Sequence, residues 1–112
     1  MQVHETEYEE VTPTEIRERL ERGDRFRLLD VREPLEHRIV RVEAAELIPL
    51  GNLPAAIAML EVEDEVVVMC HHGIRSAMAC DFLVRNGFTR VRNLAGGIDR
   101  WSVEVDPTIP RY

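Results

Sequence analysis

The 112-residue chain carries a formal net charge of −7, with 45% hydrophobic and 31% charged residues. That length and apolar content support one packed domain and exclude a disordered chain, while the acidic balance disfavours nucleic acid and anionic membrane as partners. All 14 basic residues are arginines, so Schiff-base chemistry has only the N-terminal amine available, and an anionic substrate needs a local positive patch.

Taken in chain order, the start MQVHETEYEE is acidic and lacks an apolar leader, and no later stretch approaches the ~18 apolar residues of a membrane span. A cytoplasmic protein with no membrane partner is the expectation, with the glutamates around Tyr8 as solvated surface. Thr12-Pro13-Thr14-Glu15 then supplies an N-cap, a proline at the first helical position and a glutamate three residues after the cap. Ile16 and Leu20 give that helix its buried stripe, and Gly23 ends it. Phe26 to Val31 reads as a strand with Asp30 and Arg32 near its carboxyl end, and Pro34 opens a short helix through His37.

A brief strand around Leu47 to Pro49 precedes a helix from about Leu53 to Leu60. Val66 to Met69 is an apolar run without alternation, the pattern of a parallel strand covered on both faces and the best candidate for the centre of the sheet. The segment Ser76 to Asn86 is helical, with Ala79, Phe82, Leu83 and Asn86 on one face and Gly87 as its cap. A strand over Arg90 to Asn93, a Gly96-Gly97 turn and a last helix holding Ile98 and Trp101 complete the pattern, with the indole covering the sheet's edge. Alternating strands and helices predict an α/β fold, a single domain over residues 1–112. Its mostly parallel central sheet has helices on both faces, and ligands bind outside the carboxyl ends of the strands.

Cys70 lies at such an end, directly before a helix N-terminus whose unpaired N–H groups stabilise a thiolate, the nucleophilic form. Four residues, His71, His72, Gly73 and Ile74, separate it from Arg75; the glycine suits a curled loop of successive amides that holds an anion, and Arg75 adds a fixed charge. Two adjacent histidines rarely converge on one ion and no second ligand pair has zinc spacing, so no metal is expected, and His71 and His72 are assigned to the pocket rim. Cys80 falls inside a helix and reads as packing. Asp30 with Arg32 reads as scaffold, an ion pair that fixes geometry.

The loop CHHGIR, together with LLDVREPLEH, LIPLGNLP, the helix after the cysteine, VRNLAGGIDRW and the ending VDPTIPRY, resembles a single-domain rhodanese over about Val11 to Tyr112. The ending is most similar to rhodanese domains fused to E1-like enzymes that activate ubiquitin-like sulfur carriers. The resemblance implies a sulfurtransferase without a cofactor, in which Cys70 carries the sulfur as a persulfide, the amides from His71 to Arg75 cradle it, Arg75 closes the loop, and Asp30 and Arg32 support it. It also implies a small anionic donor such as thiosulfate and a thiophilic acceptor: cyanide, a thiol or a sulfur-carrier protein. Val42-Glu43-Ala44-Ala45 departs from the family, which usually has an apolar-Pro-Gly-Ala turn there. Two other readings stay open. A Cys-based phosphatase or arsenate reductase needs a cradle one residue wider, and a binding or regulatory module needs no turnover.

Overall fold

The computed structural model describes residues 8–112. Five strands run in the order β1 (Glu9–Val11), β2 (Arg27–Asp30), β3 (Glu46–Leu47), β4 (Glu65–Met69) and β5 (Arg90–Leu94) along the chain. In space they lie β1-β5-β4-β2-β3, every neighbouring pair parallel. The strand predicted as central is indeed the third of five, and Val66, Val67, Val68 and Met69 are all fully buried.

Side-chain alternation along β4 divides the core between the two faces of the sheet. Val66, Val68 and Cys70 pack with Leu53, Ala79, Cys80 and Leu83 on one face; Val67 and Met69 pack with Ile16, Ile98 and Trp101 on the other. The helices responsible are α3 (Leu53–Ala56) and α4 (Ile74–Arg85) on the first face, and α1 (Pro13–Arg22) and α5 (Gly97–Glu104) on the second; the short α2 (Pro34–Ile39) follows β2. The first helix starts as its sequence dictates: Thr12 and Glu15 form a reciprocal capping box, Pro13 occupies the first turn, and Gly23 ends it in the left-handed conformation.

Four expectations are corrected. The segment Leu53 to Leu60 is not one helix but a single α-turn at Leu53–Ala56 between 3₁₀ turns at Leu50–Asn52 and Ile57–Met59. The buried stripe of α4 is Ser76, Ala79, Cys80 and Leu83, with Phe82 only half-buried and Asn86 exposed, because Cys80 and not Asn86 continues the 3.6-residue stripe into the core. Trp101 is buried within the second core face, not over the sheet's edge. Glu9 and Glu10 are exposed, as solvated surface should be, yet they belong to β1, which pairs with β5. The departing Val42–Ala45 segment forms a turn closed by the Ala45 N–H on the Val42 carbonyl at 3.0 Å, and it borders a groove with Arg17, Trp101 and Ile109 that includes no residue of the Cys70 loop.

Among the described residues no helix is long and apolar enough to cross a membrane.

Candidate active site

Strand β4 ends at Met69, so Cys70 is the first residue past the sheet's carboxyl edge, and α4 begins four residues later at Ile74. Gly73 bridges the two with φ +103°, and its N–H donates to Cys70 Sγ at 3.1 Å. A second amide, Ser76 N–H, reaches the same sulfur at 3.3 Å, and Ser76 Oγ lies 3.4 Å from it. The donors on Sγ therefore come from Gly73 and from Ser76, one residue beyond the expected span of His71 to Arg75, because a helix N-terminus aims its first-turn N–H groups backward along its axis. Cys70 is 1% exposed, so only a small face of the sulfur meets an incoming group.

Ser76 was not anticipated, nor was the chain behind it. Its hydroxyl donates to Asn93 Oδ1 at 2.6 Å, while Asn93 Nδ2 donates to Glu10 at 3.0 Å and to the Gly73 carbonyl at 3.2 Å. The cysteine loop is thereby tied to β5 and, through Glu10, to β1.

On its other flank the loop rests on α5. The Ile98 N–H donates to the Cys70 carbonyl at 2.8 Å and the Asp99 N–H to the His71 carbonyl at 3.1 Å, turning both carbonyls away from the sulfur. Gly97 makes this approach feasible, since a Cβ there would lie 2.4 Å from the Cys70 oxygen.

Arg75 does not point its charge at an empty cradle. Its two Nη groups form a fork on the Glu36 carboxylate at 2.6 and 2.9 Å, and that pairing, ahead of all other contacts, holds the Glu36 carboxyl down at about 2. Asp30 and Arg32 form a fully buried ion pair: Arg32 Nε and Nη2 bind Asp30 at 2.7–3.1 Å, and Nη2 also reaches the Val40 carbonyl. Neither Asp30 nor Arg32 bonds the loop directly. The connection runs through Tyr112, whose phenol accepts from Arg32 Nη1 at 2.8 Å and donates to Glu36 at 2.9 Å.

A match to the rhodanese-like domain model over residues 12–104 decides the kinship. The chain belongs to the rhodanese-like domain family. It is 36% identical over 104 residues to the probable adenylyltransferase/sulfurtransferase MoeZ of Mycobacterium tuberculosis, covering 91% of this chain but 26% of that one. It therefore spans about a quarter of that relative's length. The putative sulfurtransferase YtwF of Bacillus subtilis is 32% identical, covering 90% of this chain and 97% of the other. Among solved structures, the human single-domain sulfurtransferase TSTD1 superposes with a TM-score of 0.77 at 30% identity, covering 84% of this chain and 95% of that one.

In this rhodanese-like domain the two histidines of the loop differ in their surroundings. The His71 ring is sandwiched between His72 (centroids 3.9 Å apart) and Tyr112 (3.8 Å, interplanar angle 2°). Burial, then the neighbouring His72, pushes the His71 imidazole down toward its neutral form. His72 is exposed, with Nε2 at 3.8 Å from Asp99, whose carboxylate is forked by Arg111 at 2.8 and 3.0 Å. One ligand atom each from His71, His72 and Asp99 falls within 4.8 Å of the others, the grouping nearest to a metal site among the described residues. Cys80 lies on the buried face of α4, where desolvation pushes its thiol up and disfavours the thiolate.

Proposed function

We propose that the protein is a sulfurtransferase that carries a sulfane sulfur on Cys70. The observation supporting this is the sulfur's setting: Sγ at the mouth of the parallel sheet, receiving the Gly73 and Ser76 amides and followed by α4. Two N–H donors stabilise one negative charge on sulfur, whether it sits on the thiolate or is shared with a persulfide. In the loading step the Cys70 thiolate attacks the sulfane sulfur of a donor, the donor's S–S bond breaks, and its remaining half departs with the electron pair as sulfite or a thiolate. In the second step a thiophilic acceptor attacks the outer sulfur of the Cys70 persulfide, and Cys70 leaves as thiolate. The two half-reactions balance without an external oxidant and make the kinetics ping-pong.

Arg75, His71, His72, Gly73 and Ile74 form the walls past which both substrates pass, with Asp30 and Arg32 holding the floor beneath Tyr112 and α2. The likeness to MoeZ and YtwF supports transfer of sulfur over ester hydrolysis. So does the four-residue spacing between Cys70 and Arg75, which is short for a tetrahedral oxyanion. A thiol or a ubiquitin-like sulfur carrier is the acceptor class this reading favours, in the cytoplasm.

Intact mass after incubation with thiosulfate or cysteine persulfide tests the assignment. The expected result is one added sulfur that a reductant removes, lost in Cys70→Ser and kept in Cys80→Ser. Labelling on Cys80, or hydrolysis of an aryl phosphate through Cys70 with no sulfur uptake, overturns it.

A further inference from the structure

The charge around the cysteine loop is balanced residue by residue. Arg75 gives both Nη groups to Glu36, Arg32 is forked on buried Asp30, and Arg111 is forked on Asp99, whose amide holds the His71 carbonyl. Glu36 is itself held by four donors: two from Arg75, the Tyr112 phenol at 2.9 Å, and the Glu33 N–H at 2.9 Å. Its carboxylate is only partly exposed, at 20% of the side chain, so the pairing is fixed and partly shielded from solvent. On the two helices that carry this pair, Leu35 and Ile39 of α2 and Ile74 and Met78 of α4 are each more than half exposed, at 61%, 58%, 75% and 59%.

We propose that Glu36 is a specificity-determining residue of sulfur loading: by neutralising Arg75 it sets the site to accept a singly charged persulfide in preference to the thiosulfate dianion. The inference rests on the sulfurtransferase reading and narrows its donor class. The cradle proper supplies two amide dipoles, enough for one charge on the sulfane sulfur, and the sulfonate half of thiosulfate finds no uncommitted fork among the three paired arginines. Transfer from an organic persulfide balances as Cys70–S⁻ plus R–S–S⁻ plus one proton giving Cys70–S–S⁻ plus R–SH, one S–S bond formed and one broken, with the departing thiolate taking the proton from water. The chain's net charge of −7 adds a further general repulsion of dianions.

The experiment compares loading of Cys70 by cysteine persulfide and by thiosulfate, as kcat/KM followed by cyanide trapping, in the unmodified protein and in Glu36→Gln. The glutamine keeps one acceptor, its amide oxygen, for Arg75, gives up the second and removes the neutralising charge. The thiosulfate-to-persulfide ratio should rise about tenfold in Glu36→Gln, carried by a lower KM for thiosulfate, since one extra ligand charge now meets an uncompensated guanidinium. A salt series on the unmodified protein gives an independent reading that does not depend on the variant folding. Thiosulfate loading should hold or rise with ionic strength, because screening relieves repulsion, whereas an exposed cation would make it fall. An unmoved ratio, a shift toward persulfide, or a steep fall with salt in the unmodified protein overturns the role of Glu36 while leaving sulfur transfer intact. Loading by neither donor overturns the sulfurtransferase reading, and this inference with it.

Discussion

Replacing Gly97 by alanine tests whether the docking of α5 against the loop is what holds Cys70 in place. The added Cβ would lie 2.4 Å from the Cys70 oxygen, 2.5 Å from the His71 oxygen and 2.6 Å from the His71 carbonyl carbon, all backbone atoms, at a residue with φ +60°. No side chain can swing aside, so the helix start must retreat by about 1 Å to reach ordinary contact near 3.4 Å. That movement weakens the Ile98 N–H bond to Cys70 and the Asp99 N–H bond to His71, now 2.8 and 3.1 Å. Two such bonds at about 1 kcal/mol each, with about 1 kcal/mol for a left-handed alanine, make a loss of about 3 kcal/mol. For a domain of this size that corresponds to a melting point lower by roughly 10–20 °C. Thermal melting by circular dichroism reads the stability, and the iodoacetamide labelling rate of Cys70, followed by mass, reads the loop. Gly51→Ala, where a Cβ meets nothing within 4 Å, serves as the control and should shift stability by no more than about 0.5 kcal/mol. A Gly97→Ala protein that melts within about 3 °C of the parent and labels at the parent rate would refute the docking account.

Ser76→Ala removes the hydroxyl beside Sγ and strips buried Asn93 Oδ1 of its donor. Urea unfolding should show a loss of about 1–3 kcal/mol, with sulfur loading slowed but not abolished because the Ser76 amide remains. Glu65, buried and held by Arg19 at 2.5 and 2.7 Å and by Arg92 at 2.8 Å, has its carboxyl lowered from 4.5 to about 2, chiefly by Arg19. A carboxyl lowered on folding stabilises above its unfolded value and loses that contribution as pH falls from about 4.5 toward about 2, up to about 3 kcal/mol. Glu65→Gln should therefore be the less stable protein at pH 7, with its urea midpoint converging on the parent's as the pH is lowered through that range.

Much of the fold was legible because its signals are local. The Thr12 capping box, the unbroken Val66 to Met69 run and the cysteine poised before a helix each sit within a few residues, and the structure places them as read. What escaped depends on residues far apart in sequence. The short β1 shows locally only two glutamates and a valine; it is a strand because β5 offers it a free edge, with Asn93 and Arg92 receiving the glutamates. Glu36 looks like any helix surface residue until Arg75 and Tyr112, 39 and 76 positions away, converge on it. Ser76 lies next to the loop, and a hydroxyl residue in the first turn of α4, where the amides point back toward Cys70, is the signal that finds it. Gly97 read as part of a turn, because nothing in GGID shows that a neighbouring backbone lies against it. The expected helix over Leu53 to Leu60 gives way to a 3₁₀ turn at Ile57, which its apolar spacing does not show; Pro54 lies in the first turn of α3, where proline is tolerated.

The pairing of the first strand with the last sets a timetable for assembly. Glu9 faces Arg92 and Val11 faces Leu94, so β1 waits some 83 residues for its partner, the longest loop closure in the sheet. The central strands β2 and β4 close a shorter loop, and β1 can pair only once the chain up to Leu94 is available. The Glu10 carboxylate reaches Asn93, and through it Ser76, only at that final closure. A chain that ends before β5 would thus lack the framework that steadies the Cys70 loop, so the support of that loop coincides with completion of the sheet.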